Sequence, residues 1–492
     1  MLYLLLAIPL ITAGICLCPL KVRYWEITNI LGGLLTGLLA LINIGSYFYC
    51  EGYGINQQHL VVDGLSSLFI FIIAVVGTIC SIYTVGYLRR DIVRKEFKEK
   101  RTGKFYALLH LFIATMYLTV IADNLGVMWV AIEFTTIVSA LLVGFSGHRD
   151  ALEAAWKYIV ICTIGIAFAM LGIILTYYAA QGIGAEEQLS LSWQFLYPRA
   201  DSLSPSLMKL AFIFILVGYG TKAGLFPLHT WLPDAHSQAP SPVSALLSGV
   251  LLNCAIYSII RFHQLTLVAT GSNFSSQILI FFGLLSMVGA FPFILVQKDI
   301  KRLLAYSSVE HVGIIILGIG LGGTLGYTGA LLHLINHALG KSTLFLCAGT
   351  IVQEYQTKLI YRLRGIGQML PITATVFLAG LLAIGGAPPF GLFFSEMNVV
   401  SRGFQVYGFG LGFIFLMSVA MVFTGLIYFG GRMYFSDLPS RYRQQEPLAW
   451  NHFLIILPVF ILILQGIYMP QPIQAVFTRV VISIMAGGGI NV

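Results

Sequence analysis

The strongest constraint on this chain is a repeated one. Apolar stretches of about 20 residues, nearly free of charge, follow one another from the N-terminus to about residue 468, with short polar connections between them. A run of that length crosses the hydrocarbon core of a bilayer as a helix. Within lipid every backbone amide must be satisfied by its own helix or by a closed barrel. Barrel strands alternate apolar and polar side chains over about ten residues, whereas these runs are apolar throughout, so the sequence predicts helices. Composition agrees: 58% of the chain is hydrophobic and 10% is charged, against about 25% charged in a soluble domain. That excludes a soluble enzyme and a disordered chain, and the predicted class is an all-α polytopic membrane protein.

Fourteen runs can be delimited, at 1–18, 27–49, 61–86, 105–121, 124–145, 152–179, 207–227, 241–262, 275–296, 304–321, 326–352, 371–396, 408–434 and 449–468. The first has no basic residue ahead of it, which reads as a span rather than a cleaved signal. With this count, loops after odd-numbered spans carry 20 of the 28 Lys+Arg, and the opposite loops carry five: Arg199, Lys209, Arg261, Arg402 and Arg479. The basic group runs from Lys21 and Arg23, through the cluster between Arg89 and Lys104, to Arg432, Arg441 and Arg443. A miscounted helix would scramble that asymmetry, so the basic loops are placed in the cytoplasm and both termini outside. The net charge of +8 thus reads as topology, not nucleic-acid binding. The seven cysteines, Cys16, Cys18, Cys50, Cys80, Cys162, Cys254 and Cys347, show no CxxC or cluster spacing and read as small apolar residues. No metal or redox cofactor is expected in this chain.

Two runs carry helix breakers beside a charge. The seventh reads LVGYGTKAGLFPLHTWLPDAH, with Lys222 ahead of Pro227. The twelfth reads LLAIGGAPPFGLFFSEMNVV, with Pro388 and Pro389 ahead of Glu396. Proline removes a backbone donor and clashes with the preceding turn, so both helices should be discontinuous. Each is the fourth of a group of five, spans 4–8 and 9–13. An odd number of spans per copy makes the second inverted, and matching broken helices are a pointer to inverted repeats in transporters. The expected organisation is an N-terminal three-helix region (1–104), a first five-helix repeat (105–262), a second (275–434), each a proton half-channel, and a C-terminal helix with tail (435–492).

Ionisable groups in a bilayer core are costly and persist where they pair, line water or carry ions. The candidates are Glu133, Lys222, Lys341 and Glu396, with Glu153 and Lys157 one turn apart where they can pair. His333, His337 and Lys341 recur every four residues on one helix face, and imidazole accepts and donates protons near neutral pH. A proton relay is the sharper reading of that stripe, and a polar helix seam the plainer one. His311, beside Glu310, and His229 are further candidates. Metal binding by these histidines is not expected, since no carboxylate or cysteine cluster supports them in the sequence. A Glu–Lys pair whose separation changes could release and recapture a proton.

The stretch GTKAGLFPLHTWLPDAHSQAPSPVSALLSGVLL resembles the antiporter-like membrane subunits shared by respiratory complex I, Mrp-type cation/proton antiporters and group 4 nickel–iron hydrogenases. NLGVMWVAIEFTTIVSALLVGF, DIKRLLAYSSVEHVG and LLHLINHALGKSTLFLCAG are similar too, so the likeness runs over about residues 60–435. The wording of ADNLGVMWVAIE, EAAWKYIVICTIGIA and SSVEHVG is nearest to hydrogenase-4 component F of formate hydrogenlyase-type complexes. The resemblance implies 14 helices, broken helices 7 and 12, and proton translocation. It implies that Glu133 is the span-5 glutamate, Lys222 its span-7 partner, Lys341 with His333 and His337 the span-11 relay, and Glu396 the far-end residue. It also implies a non-catalytic subunit in the plasma membrane of a prokaryote. Its partners would be other membrane subunits and, indirectly, soluble hydrogenase and iron–sulfur subunits holding the NiFe and Fe–S centres. The transported ion would be the proton, with sodium the alternative. One departure stands out: the span-8 lysine of many relatives is replaced by Asn253 in GVLLNCAIY, and an amide holds no exchangeable charge. An Mrp-type or complex I subunit, and a non-pumping structural anchor, are the rival readings.

Overall fold

A computed structural model describes residues 2–49, 55–57, 59–187, 189–439, 446, 451–469 and 471–486; Cys50, Arg441 and Arg443 lie outside the described residues. The chain is built of helices: α1 (Leu2–Leu17), α2 (Val22–Tyr49), α3 (Gly64–Val93), α4 (Thr102–Ile121), α5 (Leu125–Val143), α6 (Arg149–Gln181), α7 (Pro205–Ala223), α8 (Trp231–Gln238), α9 (Ser241–Thr270), α10 (Phe274–Leu295), α11 (Ile300–Leu321), α12 (Gly323–Tyr355), α13 (Pro371–Ile384), α14 (Gly391–Phe435), α15 (Asn451–Ile467) and α16 (Gln471–Ala486). Among the described residues, ten helical segments are long and apolar enough to cross a bilayer, and α1, α13 and α15 are shorter apolar helices.

Local chemistry sets the ends. Side chains of Asp63, Asn124 and Asp299 accept from first-turn amides and start α3, α5 and α11. Pro205 and Pro371 open α7 and α13, where the missing N–H costs nothing. Glu446 caps α13 by accepting from Ile372 N (2.6 Å) and Thr373 N (3.0 Å), and the positive end of the helix dipole favours that carboxylate.

Both predicted interruptions are present. α7 ends at Ala223, Gly224 takes a left-handed φ of +80°, and the chain resumes as α8. α13 ends at Ile384, Gly386 has φ +73°, and α14 begins at Gly391. α14 itself turns at Gly408 (φ +67°, ψ −156°), the boundary expected between the twelfth and thirteenth runs. Two elements were not foreseen. Strands β1 (Ile55–Gln57) and β2 (Leu60–Val62) form a small antiparallel hairpin. The tail after the last span contains a further helix, α16, whose buried Phe477, Val480, Val481 and Ile484 make an apolar stripe.

α9 and α11 are buried over their apolar spans, and α12 runs beside α3, α11, α13 and α14 with almost every side chain covered. Helices at the rim show apolar side chains outward, among them Trp156, Ile164 and Phe281. Loops gather at two ends. At the basic end Arg89 grips Glu26 (2.7 and 2.6 Å), Arg94 pairs Glu354 (2.7 Å), and Arg101 donates to Phe145 O (2.6 Å). At the opposite end Arg261 binds Asp63 with two nitrogens (2.7 and 2.8 Å) and lies over the Trp193 ring, tying the hairpin region to α9. Removing one partner of a buried pair strands the other. Because Asp63 is partly exposed, Arg261→Gln is expected to cost roughly 2 kcal/mol, read as a lowered thermal-unfolding midpoint of the detergent-solubilised protein.

Candidate functional site

Two groups of buried charges stand beside the broken helices, one at each. In the first, α6 and α7 approach closely because both lack side chains where they cross: a Cβ on Gly218 would come within 2.5 Å of the Ala169 backbone. Small residues permit such contact between helices in lipid. The approach brings Tyr158 to Lys222, the last charged residue before the break. Lys222 is fully buried and donates to Tyr158 Oη (2.6 Å) and Thr136 Oγ1 (2.8 Å). Tyr158 shares a second hydrogen bond with Ser139 (2.7 Å).

The glutamate expected as partner of Lys222 lies elsewhere. Glu133 is half-buried on α5, accepts from Thr163 on α6 (2.9 Å), and its Oε2 is buried without a partner. Among the described residues it forms no ion pair. Thr136 stands one turn along α5 from Glu133, and together with Tyr158 it supplies the oxygens the ammonium needs. The direct Glu133–Lys222 pair is therefore corrected to a lysine held by neutral hydroxyls.

In the second group Lys341 on α12 is fully buried and donates to Leu304 O (3.0 Å) and to Ser307 Oγ, both on α11. The arrangement parallels that of Lys222: a lysine on uncharged oxygens. The histidine stripe is real but branches. His333 Nε2 shares a hydrogen bond with His311 Nδ1 (2.9 Å), and His333 Nδ1 with Ser395 Oγ (2.9 Å) on α14. The His337 ring lies 5.3 Å from that of His311, with both nitrogens unpartnered. Glu310 Oε2 stands 3.6 Å from His311 Nε2. Glu396 completes the group. Its carboxylate rests against Gly386 at the break, where a Cβ would collide with Oε2. One donor atom from each of His311, His333 and Glu396 lies within 4.8 Å of the others. The expectation that no carboxylate supports the histidines is thereby revised: the turn at 385–390 carries Glu396 to them.

Between the groups, Asn253 donates to Gly249 O in its own helix (2.7 Å) and leaves Oδ1 buried and unpartnered. It sits just after a π-helical turn at Leu247–Leu251, from which Ser248 bonds Ser308 of α11 (2.8 Å). His236 is buried against Phe345 with neither nitrogen partnered. Glu153 and Lys157 do pair (2.7 Å), but at the rim. With Asp234, which also binds Arg302 (2.9 Å), they surround an open cavity of about 200 Å³. His229 stacks on Phe226 (5.0 Å) and abuts Phe293 and Tyr306, an aromatic setting apart from both lysines. Pro227, Pro388 and Pro389 lie in the breaks as predicted, each of the two breaks holding a cis X–Pro bond. Tyr158, Thr136, Ser139, Ser307 and Ser395 were not singled out from sequence. Glu310 and His236 were noted there only as neighbours of His311 and His229.

Long apolar helices, two of them broken beside buried lysines, define a polytopic all-helical membrane protein. Comparison with known proteins identifies the family. Residues 122–424 match the family described as NADH:quinone oxidoreductase/Mrp antiporter, TM, and residues 57–97 match NADH-Ubiquinone oxidoreductase (complex I), chain 5 N-terminus. The chain belongs to this antiporter-like family. It is similar to the hydrogenase-4 component F homolog of Methylacidiphilum infernorum, 38% identical over 361 residues, which are 73% of this chain and 76% of that one. It is 34% identical over 401 residues to a Na(+)/H(+) antiporter subunit of Alkalihalophilus pseudofirmus, covering 76% of this chain and 47% of the relative. It is 34% identical over 349 residues to hydrogenase-4 component B of Escherichia coli, covering 68% and 50%. The chain thus spans about half the length of the last two. The fold matches a chain of the membrane-bound sulfane sulfur reductase, an archaeal respiratory complex (TM-score 0.86, 24% identity, 99% of each chain). It also matches a chain of the Mrp complex from Dietzia sp. (TM-score 0.84, 17% identity, 99% and 97%).

Proposed function

We propose that this chain carries protons across a prokaryotic plasma membrane, with both termini outside, as the antiporter-like subunit of a group 4 hydrogenase complex of the formate hydrogenlyase type. Redox energy released in partner subunits drives it, and it catalyses no redox step itself. The observation that carries this reading is the state of the two lysines. Each is fully buried, and each bonds to neutral oxygens rather than to a fixed carboxylate. An ammonium so placed is stabilised enough to persist and not so tightly that it cannot lose its proton. From the Lys341 side, His337, His311 and His333 lead towards Ser395 and Glu396. The rim cluster of Glu153, Lys157, Asp234 and Arg302 forms the mouth at the basic end. Similarity to a hydrogenase-4 component F homolog favours the hydrogenase setting, and similarity to a Na(+)/H(+) antiporter keeps an Mrp-type setting as the second reading. The test is copurification: an affinity-tagged chain should bring down the large subunit of a hydrogenase together with iron–sulfur proteins. Recovery of antiporter subunits alone would select the second reading.

Asn253 bears on continuity. Its unpartnered Oδ1 can accept from a bridging water, which would join the halves without a third lysine. Asn253→Lys is accordingly expected to assemble normally and to pump protons at least as well as the unaltered chain. Loss of assembled complex, assayed on native gels, would show a dry, tightly packed position instead.

A further inference from the structure

The cluster at the second break has a property that proton relay does not require. His311 Nδ1 and His333 Nε2 face each other at 2.9 Å, and one donor atom from each of His311, His333 and Glu396 lies within 4.8 Å of the others. All three residues are buried, His311 and His333 to 1% or less exposure. Two imidazoles and one carboxylate make up a ligand set that zinc takes in catalytic proteins, with bonds of about 2.0–2.2 Å. Tetrahedral bonds of that length place ligand atoms roughly 3.3 Å apart, so the two nitrogens need open by only a few tenths of an ångström.

The surroundings supply the second half of a metal site. A ligating imidazole characteristically uses its other nitrogen on an oxygen that fixes its orientation. Here His333 Nδ1 bonds Ser395 Oγ at 2.9 Å, and His311 Nε2 faces the Glu310 carboxylate at 3.6 Å. Glu310 Oε2 is otherwise unpartnered, as are both nitrogens of the adjacent His337. The carboxylates of Glu310 and Glu396 bring the negative charge that a buried dication needs, against the nearby buried Lys341. The same donor set is poor for sodium, a hard cation that prefers oxygen ligands.

We propose that His311, His333 and Glu396 bind one divalent transition-metal ion of the zinc type, oriented by Ser395 and Glu310, and that the ion locks the second half of the chain. Metal and the proton shared by His311 and His333 exclude each other, and Glu396 is the first residue of α14 to reach the histidines with a carboxylate, so bound metal pins the broken helix to α11 and α12. Metal binding is a property of these side chains whether or not the chain transports protons, so the test reads binding.

The membrane complex containing this chain is stripped with a chelator, equilibrated with Zn2+ and freed of excess by gel filtration. Elemental analysis then compares wild type with His333→Gln and Glu396→Gln. The expected result is one zinc per chain more in the wild type than in either variant. Equal zinc in all three overturns the proposal. Should a variant fail to assemble, X-ray absorption at the zinc edge of the wild type decides. Imidazole scattering from two nitrogens with light oxygen ligands supports the site, and sulfur ligation, or oxygen alone, overturns it.

Discussion

Replacing Lys222 by methionine is expected to lower redox-driven proton transport by about a hundredfold or more, the scale set by losing a positioned proton-transfer group, while the complex still assembles. Methionine fills the space of the lysine stem without its charge. The oxygens that lose the ammonium are not stranded: Tyr158 keeps its bond with Ser139 (2.7 Å), and Thr136 can return to Ile132 O, which lies 3.4 Å away. Stability should therefore change little, and the effect should fall on transport. Lys222→Arg separates charge from proton exchange. Guanidinium keeps the positive charge but does not give up its proton at physiological pH, and its planar fork does not fit the two converging hydroxyls. Equal loss in both variants, measured with a pH-sensitive dye inside proteoliposomes, is the expected outcome. Normal pumping by Lys222→Arg would mean that Lys222 supplies only a fixed field.

The contrast between what the sequence disclosed and what it hid follows from the range of the interactions. The breaks in α7 and in the α13–α14 pair could be read because glycine and proline act on their own backbone. The alignment of His333, His337 and Lys341 could be read because helical spacing is local. The partners could not. Lys222 meets Thr136 across 86 residues and Tyr158 across 64, and His333 meets Ser395 across 62. Serine, threonine and tyrosine are also ordinary occupants of helices, where hydroxyls commonly bond the carbonyl one turn back. Nothing in the sequence distinguishes Ser139 or Ser307 from Thr36, which does only that. The Glu133–Lys222 pair was an inference from resemblance, and the hydroxyls that hold each residue instead lie far away in sequence. α16 was hidden differently. Its stripe of Phe477, Val480, Val481 and Ile484 recurs at helical spacing, but a search for runs of continuous hydrophobicity passes over an amphipathic helix.

Replacing Lys341 by methionine is expected to match the Lys222 defect, and the comparison of the two tests whether the halves form one path or two. Lys341 Nζ shares Leu304 O with the hydroxyls of Ser307 and Ser308, so its removal leaves that carbonyl satisfied and the helix intact. If protons cross in a single relay, Lys222 and Lys341 act in series through the region around Asn253, Ser248 and His236. Each single variant then lowers transport about a hundredfold, and the double variant falls no further, because residues acting as a unit give strongly non-additive losses. If instead each half conducts independently, each single variant retains about half the flux and only the double variant is dead. The geometry favours the series arrangement. Asn253 belongs to α9 and is itself buried, and Ser248 bonds directly to Ser308, one residue from the Ser307 that holds Lys341. Proton flux per turnover in the two single variants and the double variant, at equal complex content, distinguishes the cases.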